Sequence, residues 1–397
     1  MNSKLLGGIL LITGISIGAG MLGLPIAAAK LGFAGALILL VVCWFLMLTC
    51  AFLILEVNQW LPQDHNIISM AKATIGPSGQ IVAWISYTLL LYSLLCAYIA
   101  GGSDLFHNLL KMAGIDIPLW SAAVFFTMIF GSIVYSGINS IDKANRILMV
   151  LKFSTLFIVI FYLLPFISTS KLAEGNLSNL NSISAITITA AAFGWATLVP
   201  SLRVYLADDL KTIKIAFIIG SLIPLICYII WDAAIMGIIP LFGPNSLEFI
   251  LQSPNSTSNL VNILSATVQN HSATFFIKVF TSICVLTSFL GVALCLIGFL
   301  SDGFQLKKNR ASNVAIHFIT FLPALGIAIF FPNAFIQTLQ YAGIFATILL
   351  ILMPAWMAWC GRYRRDIAKG FTVRGGKPLL GFIIIFSVIL ILLGIFS

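Results

Sequence analysis

The chain has 397 residues, of which 60% are hydrophobic and only 8% charged, whereas soluble domains carry roughly 25% charged residues. That composition excludes a soluble globular protein and predicts an all-α polytopic membrane protein. The net charge of +9 sorts with the membrane topology, as the placement of the basic residues below shows, and so reports orientation and not a nucleic-acid partner. The seven cysteines and four histidines are scattered without disulfide or metal-ligand spacing, so no metal and no cofactor is expected.

Apolar segments of about 20 residues cross about 30 Å of hydrocarbon. Such segments are predicted at 5–28, 33–60, 80–104, 119–138, 147–168, 184–205, 213–240, 274–300, 312–331, 334–359 and 379–396, eleven spans in all. With the N-terminus inside, every Lys and Arg except Lys30, Lys111, Lys171 and Lys278 falls in or beside a cytoplasmic segment, the positive-inside distribution. Residues 362–377 are then cytoplasmic, while the connection 241–271 and the C-terminus are periplasmic.

The first span holds TGISIGAGMLGLP, residues 13–25. Glycine inside a helix costs roughly 1 kcal/mol against alanine, and proline costs more. In hydrocarbon a helix is interrupted only where protein or a water-filled cavity satisfies the freed backbone groups. Thr13, Gly14, Ser16, Gly18, Ala19 and Gly20 have the composition of such a break. A half-helix restarting at Met21 would aim its amides at the gap and form an anion site. The alternative is close helix packing through Gly14 and Gly18, a small-xxx-small pair. The glycines and Pro25 also break the apolar run, so the segment reads as a span and not as a cleaved signal.

Ionisable residues inside later spans are functional candidates by default. Glu56 in span two is either a helix-end carboxylate or a gate or proton site. Tyr92 and Tyr98 of span three are pocket neighbours or packed residues. Lys152 of span five is either a positive-inside anchor or an ammonium held between spans one and eight. In the second case Thr287 and Ser288 line its site from span eight, with freed carbonyls of Thr13 and Ser16 from span one. Span six carries AAFGWATLVPS, residues 191–201, again a glycine with a proline six residues on. Phe193, Gly194 and Trp195 adjoin that second break. Asp232 of span seven lies toward the outer half.

Paired breaks in spans one and six, five spans apart, point to the site of an inverted-repeat secondary transporter. The expected organisation is a first repeat at 1–168, a second at 184–359, and an eleventh span at 379–396. A channel would favour a charge ring or a repeated filter, and a membrane enzyme would favour clustered His, Cys or carboxylates; the sequence has neither pattern.

The stretches GISIGAGMLGLPIAAAKLGF, LILEVNQWLP, AYIAGG, AAFGWATLVPSL, TSFLGVALCLIGFLSDGFQ, TFLPALGIAIFFP and TVRGGKP resemble the hydroxy and aromatic amino acid permeases, nearest the bacterial tyrosine permeases. The resemblance runs in order from span one to the end. It implies a leucine-transporter-type fold of eleven spans and proton-driven uptake of tyrosine or tryptophan across the inner membrane. Two departures stand out: relatives often carry an aromatic residue followed by His after the span-six glycine, where this chain has Trp195-Ala196, and an acidic residue of late span eight is replaced at Gly298-Phe299. The expected partners are an amino acid, a coupling proton and membrane lipid. Its carboxylate would sit at Gly18, Ala19 and Gly20, its ammonium on carbonyls of both breaks, and its ring near Phe193 and Trp195. The alternative is a sodium-coupled permease for another neutral amino acid.

Overall fold

The computed structural model describes residues 3–63, 65–136, 138–176, 179, 182–304, 310–331 and 334–396. All the regular structure in this part is helical. The first half contains α1 (Ser3–Ser16), α2 (Ala19–Ala27), α3 (Gly32–Gln59), α4 (Ile67–Thr74), α5 (Pro77–Met112), α6 (Leu119–Tyr135), α7 (Ile138–Leu163) and the single turn α8 (Thr169–Leu172). The second half contains α9 (Ile183–Ala192), α10 (Val199–Tyr205), α11 (Leu210–Ile238), the short α12 (Leu247–Gln252) and α13 (Ser256–Val268). It continues with α14 (His271–Gly303), α15 (Arg310–Phe330), α16 (Ala334–Thr347), α17 (Met353–Tyr363) and α18 (Gly376–Phe396).

Among the described residues, nine helices are long and apolar enough to cross a membrane, or ten when α1 and α2 count as one bent span. The remaining segment expected from the sequence, 119–138, is the apolar helix α6, which at 17 residues is shorter than the others. This is a multi-pass helical membrane protein.

Three spans are irregular, each for a local reason. Between α1 and α2 the chain bends by 52°, and Gly18 takes an extended conformation at the start of α2. A Cβ at Gly18 would lie 2.3 Å from Ser288 Oγ, so a side chain there would push that hydroxyl out of its bond with Ala19 N. The restart falls at Ala19, two residues before the expected Met21. In span six, α9 ends at Ala192 and a tight 3-10 turn, Gly194–Leu198, leads into α10. Residues 183–205 still run as one candidate span, so the second interruption is a change of helical winding and not the sharp break of span one. In the tenth expected span, α16 passes through a π-helical stretch, Ile348–Leu352, before α17. Pro354 stands at the start of α17 and has no N–H for the carbonyl four residues back, which loosens the ladder there.

The irregular spans pack together. The two halves of span one lie against α11, α2 also lies against α9, and α14 lies against α7 and α5. The α16 helix is wedged between α5 and α9. This arrangement brings the ends of α1 and α9 within reach of one face of α11.

Candidate functional site

A helix that stops inside hydrocarbon leaves its last carbonyls without partners, and here side chains from other spans supply donors. Tyr228, fully buried on α11, donates its hydroxyl to Ser16 O at 2.5 Å and lies 2.9 Å from Ala192 O. Ser16 ends α1 and Ala192 ends α9, so one hydroxyl spans both breaks. The Phe193 ring meets Tyr228 edge-on at 5.2 Å. Lys152 of α7 is 1% exposed, and its Nζ donates to Ile17 O at 2.5 Å and to Gly14 O at 3.3 Å. Its ammonium is aimed into the break rather than along the helix toward an interface.

The amide side of the break is equally defined. Ala19 N donates to Ser288 Oγ at 2.9 Å, fixing the first residue of α2 against α14. The positive end of α2 faces the gap; of its first-turn amides, Ala19 N is taken by Ser288 Oγ and Met21 N bonds Gly18 O at 3.1 Å. A Cβ at Gly20 would sit 3.9 Å from Ala192 Cα, an ordinary contact. A Cβ at Gly14 would collide with the tip of Met149 at 2.2 Å.

Of the residues expected here, Gly14, Ser16, Gly18, Ala19, Gly20, Lys152, Phe193 and Ser288 converge. Thr13 corrects the expectation, because its carbonyl is not freed: it accepts Ile17 N at 3.0 Å, and its hydroxyl reaches Gly220 O at 3.2 Å. Ser16 contributes its carbonyl, while its hydroxyl turns back to Ile12 O. The Thr287 hydroxyl bonds its own helix at Ile283 O and Cys284 O and makes no bond to Lys152. Gly194 O accepts from Thr197 Oγ1 at 3.2 Å. Trp195 lies in the turn below the break, fully buried, its ring edge-on to Phe217 at 5.2 Å and its Nε1 without a partner. Tyr98 neighbours Ser288, whereas the Tyr92 hydroxyl bonds Ile319 O at 2.8 Å, on α15. Asp232, one turn along α11 from Tyr228, is 1% exposed and its Oδ1 has no partner.

Glu56 is not part of this cluster. It is fully buried at the far end of α3, paired with Arg362 through Nε–Oε1 at 2.7 Å and Nη2–Oε2 at 2.5 Å. Beside it, Arg203 of α10 forks onto Asp208, with both bonds at 2.9 Å. Arg203 also donates to the carbonyls of Asn58 and Leu61. Its hydrogen bonds hold the Asp208 carboxyl below the usual carboxylate range. At the opposite end Asp104 of α5 caps the start of α13, accepting from Thr257 Oγ1, Ser258 N and Ser258 Oγ at 2.6–2.7 Å.

Tyr228, Asp104, Arg203 and Arg362 were not anticipated from the sequence. Asp104 carried a usable signal, an acidic residue inside an apolar span. For Tyr228 the signal was weaker, a polar pair with Asp232 at helical i,i+4 spacing. Arg203 and Arg362 read only as positive-inside charges until their buried partners are seen.

Among the described residues no cluster of His, Cys, Asp or Glu could hold a metal ion. What the site offers is main-chain polarity of both signs, exposed by helix breaks within a membrane bundle. That arrangement belongs to a membrane permease. The model of the tryptophan/tyrosine permease family matches residues 1–394, and the chain belongs to that family. It is 32% identical over 395 residues to a protein named tyrosine-specific transport system 2 of Haemophilus influenzae, covering 99% of this chain and 96% of the relative. It is 31% identical over 391 residues to a tryptophan-specific transport protein of Shigella flexneri, covering 98% and 94%. A protein named glutamine transporter 2 of Aliivibrio fischeri is 30% identical over 400 residues, covering 99% of both chains.

Proposed function

We propose that this permease imports an aromatic amino acid, tyrosine or tryptophan, across the inner membrane by proton symport. Eleven spans would form two inverted five-span repeats and a final span, with the N-terminus cytoplasmic and the C-terminus periplasmic. The substrate carboxylate would meet the amides at Gly18 and Gly20, and that of Ala19 in place of Ser288 Oγ, which accepts it here. Its ammonium would meet the carbonyls of Ser16 and Ala192, and its ring would lie toward Phe193. Alternating access would rock the broken spans with their partners α3 and α11 against the rest. Relatives named for tyrosine and tryptophan support the substrate class.

The observation that carries the coupling is Lys152. Its ammonium donates to Gly14 O and Ile17 O, carbonyls that an inorganic cation would otherwise need. A cationic side chain there makes a sodium ion unnecessary, and unlike sodium it can give up a proton. Purified protein in liposomes, given imposed proton or sodium gradients and a competition panel of tyrosine, tryptophan, phenylalanine and glutamine, tests both parts. Accumulation driven by the pH gradient and blocked by the aromatic amino acids is the expected result. Sodium dependence, or preference for glutamine, would replace this reading with a sodium-coupled or neutral amino acid permease.

A further inference from the structure

Two stretches that the site does not use, LILEVNQWLP and TVRGGKP, meet at the basic end of the bundle, the cytoplasmic end in the proposed orientation. The Glu56 carboxylate, already gripped by Arg362, accepts a third bond from Val373 N at 2.7 Å. Arg362 Nη2 also donates to Val373 O at 3.1 Å. Residues 364–375, which join α17 to α18, are therefore folded back over the end of α3. Phe371 is carried in with them. Its ring meets Phe52 of α3 edge-on at 6.3 Å, and Lys214 Nζ of α11 lies 3.8 Å from its centre.

The ring contacts do not stop there. Phe52 meets Phe217 at 5.7 Å, and Phe217 meets Trp195 at 5.2 Å. Trp195 lies in the 3-10 turn of span six, three residues beyond Ala192, whose carbonyl lines the site. A packed ladder of four aromatic side chains thus joins the connecting segment to the second break. The clasp is also of an unusual kind. Removing both members of an ion pair from water offsets most of their attraction, so a buried Glu–Arg pair adds little to stability over an apolar one. What the pair does is fix where the connecting segment lies, through Val373.

We propose that residues 364–375 form a strap over the basic mouth of the transport path, with Phe371 as its plug and Glu56–Arg362 as its clasp. The strap must lift before the amino acid leaves on that side. Phe371 is a positioning residue, acting on the substrate through the Phe52–Phe217–Trp195 ladder, and Glu56 is one that holds the strap through Val373. The proposal rests on the transport reading above.

The test uses Phe371→Ala and Phe371→Tyr in the full chain, since Phe371 is half-buried and makes none of the hydrogen bonds of the clasp. Two quantities are read: dissociation of labelled tyrosine from the purified protein, and hydrogen exchange of peptides covering 364–375. Losing the ring contacts should speed dissociation in the Ala variant roughly five- to ten-fold and speed exchange over the strap. The Tyr variant keeps the ring and should stay near the unaltered protein in both. Faster exchange with unchanged dissociation would overturn the strap as a gate. Unchanged exchange would overturn Phe371 as what holds it down. An unaltered protein that binds no labelled tyrosine contradicts the substrate reading instead, and the exchange arm still decides whether Phe371 holds the strap.

Discussion

At Gly20 a Cβ would meet Ala192 Cα at 3.9 Å, so a small side chain fits without moving the backbone, and the position separates binding from packing. Gly18 does not, because a Cβ there would strike Ser288 Oγ at 2.3 Å. If bare amides at the start of α2 hold the substrate carboxylate, Gly20→Val intrudes on a charged hydrogen bond worth about 1.5–3 kcal/mol. Binding should then weaken roughly ten-fold or more, while Gly23→Ala, whose one tight contact is the flexible tip of Leu339, should bind nearly normally. Labelled tyrosine binding, scaled to folded protein, checks this; normal affinity in a folded Gly20→Val protein removes the carboxylate site. Lys152 makes the second test. Lys152→Met should abolish accumulation driven by a pH gradient and leave exchange of labelled for unlabelled substrate measurable. A surface anchor would tolerate both Met and Arg, but an ammonium 1% exposed and bonded to two carbonyls is not placed as one. The Arg203–Asp208 pair gives a contrasting pH expectation. The folded carboxyl is held below its unfolded value of about 3.9, so its contribution is fully present above that value and is lost as pH falls through the lower, folded one. A transport midpoint between pH 5 and 8 would therefore come from another group, and Asp208→Asn should leave that midpoint in place.

At the level of elements, the contact to probe is the one between the ends of α1 and α9. The Tyr228 hydroxyl has one proton and two carbonyl neighbours, Ser16 O and Ala192 O. Tyr228→Phe leaves both carbonyls buried without that donor, a cost of roughly 1–3 kcal/mol, and should lower the melting temperature. An ammonium carries three donors and can serve both carbonyls at once. Tyrosine should therefore recover more of the lost melting temperature in Tyr228→Phe than its des-amino analogue, 3-(4-hydroxyphenyl)propionate, does. Equal recovery by the two would place the ammonium elsewhere. The helices themselves were legible in the sequence because hydrocarbon tolerates almost nothing but uninterrupted apolar helix. The break at 13–20 was legible because glycine and hydroxyl residues inside such a run need a local reason. What stayed hidden was the detail of the bonding: that Thr13 keeps its helical bond, that Ser16 offers a carbonyl and not a hydroxyl, that Tyr228 reaches both breaks. Glu56 shows the limit most clearly. As a lone acid in an apolar span it stood out, but its partners lie at Arg362 and Val373, more than 300 residues away in the chain.

For the whole molecule, the distribution of charge carries the orientation, and the orientation decides which mouth the Arg clusters guard. Lys and Arg are costly to move across a bilayer and remain on the cytoplasmic side of short connections. Arg362, Arg364, Arg365, Lys369, Arg374 and Lys377 crowd the turn between α17 and α18, and Lys211 and Lys214 begin α11. Between α11 and α14, by contrast, residues 239–270 contain neither Lys nor Arg, and the two short helices α12 and α13 fill the gap. If the basic end faces the cytoplasm, Glu56–Arg362 and Arg203–Asp208 lie at the inner end of the bundle and Asp104 fastens α13 at the outer end. A cysteine placed at Asn245, exposed ahead of α12, should react with a membrane-impermeant maleimide in intact cells, and one at Lys369, exposed within the strap, only after the cells are opened. The native cysteines set the background, and since six of the seven are buried or half-buried, a chain with exposed Cys295 replaced by Ala supplies the control. Labelling at position 369 in intact cells would invert the molecule and make the Arg362 strap an outer closure instead of an inner one.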